Sequence, residues 1–164
     1  MTGITTVSAK MRSVHVMIMT LEGLILFEGR LQEDQIEILK SISFFSTATF
    51  AEALLKDVRL IFLKPAGHLA EIGRTEKGSQ VCRYRNVDKS ILDVVIDAHG
   101  DWELVQYGAN SQPNRRVVAR YDNAGVPLGK KNAPDKIKLI VTDVFHYTLD
   151  MQIIQSVEIE VKSE

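Results

Sequence analysis

The sequence predicts a mainly β (α+β) fold, a curved antiparallel sheet accompanied by about two helices, and three observations carry that expectation. The first is the stretch from Phe145 to Val161, in which Phe145, Tyr147, Leu149, Met151, Ile153, Val157, Ile159 and Val161 take the odd positions and polar residues take the even ones. Successive strand side chains point to opposite sides, so this reads as a long ribbon with one apolar and one wet face. Ile154 and Gln155 interrupt the alternation and mark a bulge, a bend or a turn. The second is a series of shorter alternating runs separated by turn residues. The third is a pair of segments whose apolar residues recur at helical spacing.

In chain order, Val7 to Met11 and Val14 to Ile18 alternate with a change of register near Ser13. Leu21-Glu22-Gly23 predicts a turn, with Leu24 to Leu31 returning and Gln35 to Ile42 alternating again. Ser46 to Lys56 predicts the first helix: Phe50, Ala51, Ala53 and Leu54 share a face, Ser46 or Thr47 caps the start, and Asp57 closes it. Val58 to Leu63, apolar on both faces except at Arg59, predicts a central strand, and Lys64-Pro65-Ala66-Gly67 a turn. Leu69 to Arg74 and Ser79 to Arg85 form a hairpin about Glu76-Lys77-Gly78.

The second helix is expected from Lys89 to Ala98, capped by Asn86 or Asp88, striped by Val87, Ile91, Leu92, Val95 and Ile96, and ended by Gly100. Strands follow over Trp102 to Tyr107 and Val117 to Tyr121, divided by a loop from Asn110 to Asn114. A turn at Asp122-Asn123-Ala124-Gly125, a strand over Lys136 to Thr142 introduced by Pro134-Asp135, and the terminal ribbon complete the chain. No repeat, low-complexity tract or linker divides residues 1–164, which read as a single β-rich domain.

Composition narrows the function classes. The 164 residues are 45% apolar and 25% charged, values ordinary for a soluble globular domain able to bury a core. A net charge of -1 disfavours nucleic-acid binding as the main activity. Cys82 is the single cysteine, so no intrachain disulfide is expected. No apolar run approaches the roughly 20 residues that span a bilayer. The opening Met1-Thr-Gly-Ile-Thr lacks the form of an export signal, which fits a cytosolic protein or a mature exported domain.

Little in the sequence carries catalytic chemistry. His15, His68, His99 and His146 are scattered, and none stands at a metal-ligand spacing with another histidine or with Cys82. Asp93, Asp97, His99 and Asp101 are the densest polar group, but their order matches no calcium loop, and a solvated helix end is the better reading. No nucleophile elbow or glycine-rich phosphate loop is present. The expectation is a non-enzyme with no cofactor and no metal. Arg74, Arg83, Arg85, Arg115, Arg116 and Arg120, interleaved with Tyr84, Tyr107 and Tyr121, resemble a polyanion platform. Strand alternation instead predicts that Arg83 and Arg85 face water, with Glu71, Glu103 and Asp122 neutralising part of the cluster.

Several passages resemble the LolA/LolB-like bacterial lipoprotein-localisation factors. They are Leu60-Ile-Phe-Leu-Lys-Pro-Ala-Gly-His-Leu-Ala, then Lys89 to Ala98 leading through Gly100-Asp101-Trp102-Glu103-Leu104, then Arg116 to Gly125. Pro134-Asp-Lys-Ile-Lys-Leu, Tyr147-Thr-Leu and Val157-Glu-Ile follow in the same order. The first forty residues match poorly, and the lipid-attachment cysteine of the anchored member is absent. The resemblance implies a strongly curved half-barrel whose open side is covered by helices. It also implies a periplasmic or outer-membrane-associated protein, its export signal removed, that binds lipid or lipoprotein acyl chains in an apolar cavity. Further implied contacts are an envelope protein partner and a peripheral membrane surface, with no nucleic acid. The candidate cavity residues are Leu60, Phe62, Leu104, Val118, Leu139, Val141, Phe145, Tyr147, Leu149 and Met151, each of which also reads as plain core. The alternative function is a structural or assembly module of an envelope or viral complex, its core filled by its own side chains.

Overall fold

The computed structural model describes residues 1–43, 47–108, 110–122, 133–143 and 146–159, and its chain divides into two compact units, Met1–Pro65 and Ala66–Glu164. The fold is mainly β and antiparallel, with two sheets and, among the described residues, one helix. Neither sheet closes into a barrel among the described residues. The boundary between the two units falls between Pro65 and Ala66.

The first unit is a meander of β1 (Thr2–Ser8), β2 (Ser13–Met19), β3 (Ile25–Gln32) and β4 (Gln35–Ser41), followed by α1 (Ala48–Phe62). The helix packs on β2, β3 and β4. Val14, Val16, Phe27 and Leu31 are buried and share one sheet face through the registers Val14↔Leu31, Val16↔Gly29 and Ile18↔Phe27. Ala51, Leu54, Leu55, Val58 and Ile61 form the buried stripe of α1 at three- and four-residue steps. Gly29 sits where these layers meet: a Cβ there would lie 2.8 Å from Phe27 Cζ and 3.1 Å from Leu55 Cδ1. The close approach therefore needs glycine.

The second unit is a seven-stranded meander of β5 (His68–Arg74), β6 (Gln80–Arg85), β7 (Ile91–Ile96), β8 (Trp102–Tyr107), β9 (Pro113–Arg120), β10 (Lys136–Thr142) and β11 (His146–Gln152), ordered as in the sequence. Its first four turns are copies of one device. The N–H groups of Thr75, Asn86, Asp97 and Gly108 donate to the carbonyls of Ser79, Ser90, Asp101 and Gln112. The N–H of the fourth turn residue (Gly78, Lys89, Gly100 and Ser111) donates back to the first, and each of those four has a positive φ. The turns recur every 11 residues, at 75, 86, 97 and 108. An odd period places the same repeat position on opposite faces in alternate strands, so the turns repeat while the side chains do not. The sequence accordingly shows no repeat, and the backbone does.

Two expected elements change type. Val58 to Leu63 is not a strand but the end of α1, Val58 to Phe62 helical and Leu63 its C-cap, because the helical spacing of Ala51, Leu54, Leu55, Val58 and Ile61 runs unbroken through Asp57. The expected helix over Lys89 to Ala98 is β7 between two of the repeated turns. Ile91, Val94, Val95 and Ile96 are β-branched and suit a pleated surface, and the residues that resemble caps build the turn instead. Asp88 accepts the N–H and hydroxyl of Ser90 at 2.9 and 2.6 Å. The terminal ribbon is regular only over His146–Gln152 among the described residues, after which Ile153 N–H donates to Asp135. Ser46, Asn123 to Gly125, Phe145, Glu160, Val161 and Lys162 lie outside the described residues.

Candidate functional site

The register of the second sheet sorts its side chains into two faces of different chemistry. Leu139 stands opposite Val117 and Leu149, Val141 opposite Arg115 and Tyr147, and Ile137 opposite Ala119 and Met151. Carrying the pairing across β8 and β7 adds Trp102, Leu104, Gln106, Leu92, Val94 and Ile96 to the same face. On β6 and β5 it adds Gln80, Cys82, Tyr84, Leu69, Ile72 and, at the end of β5, Arg74.

Of the candidate cavity residues, this apolar face unites Leu104, Leu139, Val141, Tyr147, Leu149 and Met151. Val118 lies on the opposite face, one residue out of phase with Val117. Leu60 and Phe62 are half-buried residues of α1 in the first unit. Phe145 lies outside the described residues. The sequence reading missed Trp102, Val117, Ala119 and Ile137. The signal that finds them is strand parity carried through successive hairpins rather than the apolarity of each run taken alone.

The centre of this face is buried. Leu139, Val117 and Ala119 have no exposed surface, and Ile137, Val141, Leu92 and Leu104 are also buried. Toward β5 the same face opens, with Ile72 65% exposed, Leu69 46% and Ile96 40%. One charged pair belongs to the β9–β10 end, where Arg115 donates to the Asp143 carboxylate. Burying a guanidinium in a mostly apolar face is tolerable with such a partner and costly without one.

The opposite face is a lattice of cross-strand ion pairs. Arg83 donates from Nε and Nη2 to the two oxygens of Asp93, each at 2.7 Å, directly across β6 and β7. Asp93 is only 7% exposed, and this fork accounts for its burial. The hydrogen bonds to Asp93, and then its charge, hold the Arg83 guanidinium protonated still more firmly than usual. Glu71 approaches Arg83 at 3.8 Å and Arg85 at 3.4 Å, Glu103 meets Arg116 at 2.7 Å, and Asp101 meets Arg120 at 3.4 Å. Lys136 pairs with Asp122 and Lys138 with Asp150. Five of the six arginines singled out in the sequence, all but Arg74, thus have acidic partners, on one face or the other. A polyanion would have to displace those carboxylates.

Among the described residues, no group of three or more histidine, cysteine and acidic side chains is arranged to hold a metal ion. The group formed by Asp93, Asp97, His99 and Asp101 is dispersed by its structural duties. Asp97 Oδ1 accepts the N–H groups of His99 and Asp101 at 2.8 and 3.1 Å, Asp101 accepts the N–H of Tyr121 at 2.9 Å, and Asp93 holds Arg83. This is a hairpin turn rather than a helix end. Comparison with family models, with curated proteins and with solved structures returns no match.

Proposed function

We propose that this chain is a non-catalytic assembly module whose second sheet has a filled core and whose exposed sheet surfaces meet other proteins of an envelope or viral complex. The observation that supports it best is the closure of the apolar face. Leu104, Leu139 and Val141, the central cavity candidates, are buried. A cavity that accepts acyl chains would present such residues to solvent when empty. The carboxylates that stand nearest to a catalytic group are committed to turns and to Arg83, which accords with a binding role.

The second reading is the binding of lipid or lipoprotein acyl chains, as in a strongly curved half-barrel of the LolA/LolB-like kind, at the periplasmic or outer-membrane side of an envelope. The open part of the apolar face, Leu69, Ile72 and Ile96, favours it as the place where an acyl chain would enter. Native mass spectrometry of the whole chain, with and without a fluorescent fatty acid, separates the two. An unliganded mass and no uptake of probe are expected. Stoichiometric uptake that is lost on Ile72→Glu would overturn the filled-core reading in favour of the lipid one.

A further inference from the structure

The four sheet edges of this molecule are not equally protected. A strand edge presents unpaired N–H and C=O groups, and soluble proteins blunt such edges with charges, bulges or proline. The edge strand β4 carries Glu37 and Lys40, and its ladder with β3 is interrupted by a bulge. The edge strand β5 carries Glu71 and Arg74 and has a bulge between Leu69 and Glu71. The edge strand β11 carries Asp150, which pairs with Lys138. β1 alone, Thr2-Gly-Ile-Thr-Thr-Val-Ser, has no charge, no proline and no bulge: its ladder with β2 is unbroken from Thr2↔Met19 to Ser8↔Ser13. Every residue from Thr2 to Val7 is exposed.

We infer that β1 is a pairing edge whose partner is the β1 strand of a second copy of this chain, joined antiparallel about a two-fold axis at Thr5. The inference rests on the assembly reading above and names its surface. Three features argue for a second copy as the occupant. An antiparallel pairing centred on Thr5 engages the whole strand, Thr2 opposite Ser8 and Thr5 opposite its own symmetry mate. Partners in that register share parity, so whichever alternate N–H and C=O groups point outward from β1 meet their counterparts. The side chains also suit self-association. No like charges are brought together, and on the face shared with Val16 the Val7 side chain stands opposite Gly3, which has none.

On the face turned away from α1, Ile4 stands opposite Thr6 of the other copy and diagonal to its Ile4, within reach for long side chains. Ile4, 59% exposed, continues a half-exposed apolar row through Met17, Met19 and Ile25 of β2 and β3. The dimer therefore extends one sheet to eight strands and joins two apolar rows across the axis. A seven-residue edge is smaller than a standard stable interface, so association is expected to depend on concentration.

Sedimentation velocity on the full chain over a wide concentration range tests this, with Thr5→Lys and Thr5→Glu variants beside the wild type. A wild-type monomer–dimer equilibrium is expected, together with loss of the dimer in each variant and its recovery when the two variants are mixed. Recovery on mixing also shows that each variant is folded. In a Cys82→Ser background, Thr5→Cys should form a covalent dimer on mild oxidation, and Thr2→Cys, opposite Ser8 in this register, should form much less. A wild type that stays monomeric, variants that still dimerise, or no recovery on mixing would each overturn the inference. Fatty-acid uptake by a wild-type dimer would instead overturn only the filled-core reading.

Discussion

The two sheets solve the same problem in opposite ways. The first buries one face beneath a helix of its own unit, with Phe27, Leu31 and Leu55 fully buried and Gly29 admitting the contact. Its other face carries His15, Glu28, Arg30, Glu37 and Lys40 toward β4, with His15 and Glu28 paired at 3.0 Å, whereas its first edge, β1, carries no charge. The second repeats one hairpin and gives its strands an apolar face and an ion-paired face. Stability in the first therefore depends on the fit of a few layers around α1, and in the second on many cross-strand pairs. What is left unsatisfied also differs: uncharged strand edge and apolar row in the first, a short apolar strip near Ile72 in the second.

The largest effects should come from emptying each core. Leu139→Ala removes a fully buried side chain from β10 of the second sheet and is expected to cost about 2–5 kcal/mol. Trp102, the single tryptophan, lies on the same face and reports that unit by fluorescence in a urea titration. Phe27→Ala should cost about 3–5 kcal/mol in the first unit, read by far-ultraviolet circular dichroism. An unchanged midpoint for Leu139→Ala would mean that its face is not core, and the contrast between the units would fail.

Overpacking ranks next and is tested in the first unit. Gly29→Ala forces its methyl against Phe27 and Leu55 and should cost about 1–3 kcal/mol. Phe27→Leu in the same chain removes the atom that stands 2.8 Å from that methyl, so the double variant should lose less than the sum of the single ones. Additive losses would show that the tight fit lies elsewhere.

The fold class was legible because strand alternation and turn residues are local signals: Trp102 to Tyr107 and Lys136 to Thr142 agree with the structure residue for residue. The two changes of element type arose where a local signal had two physical readings. Asp57 looks like a helix stop, yet it is a buried residue inside α1, and only the continuing stripe at Val58 and Ile61 shows it. Asn86, Asp88 and Gly100 look like helix caps because caps and hairpin turns use the same residues for the same hydrogen bonds. The candidate site was half legible. Parity within β10 and β11 was right, but Val118 required knowing the phase of β9 relative to β10, which pairing sets and sequence does not.

The ion-paired face gives the third effect. Asp93→Ala strips Arg83 of its forked partner and leaves it only Glu71 at 3.8 Å. A loss of about 1–3 kcal/mol is expected, as for a charged hydrogen bond, with the lower end favoured because Arg83 reaches water. Glu103→Ala removes the pair with the exposed Arg116 and should cost less than about 1 kcal/mol. Equal losses in the two variants would mean that burial of Asp93 adds nothing to its pair.

The smallest effect tests whether the repeated turn contributes to stability at all, and it has a defined sign in pH. The Ser90 hydroxyl, and then the Ser90 N–H, hold the Asp88 carboxyl below its ordinary value. A carboxylate whose pKa is depressed by folding stabilises the native state above its unfolded pKa, about 3.9 for aspartate, and loses that contribution as pH falls through the folded value. The wild type should therefore lose slightly more stability between pH 5 and the acid limb below about 4 than Asp88→Asn does. Urea midpoints of both chains measured at matched ionic strength provide the comparison. Superimposable pH profiles would show that this turn is held by its backbone hydrogen bonds and the positive φ of Lys89 alone. The hydrogen bonds of Asp88 would then be a consequence of the hairpin rather than one of its causes.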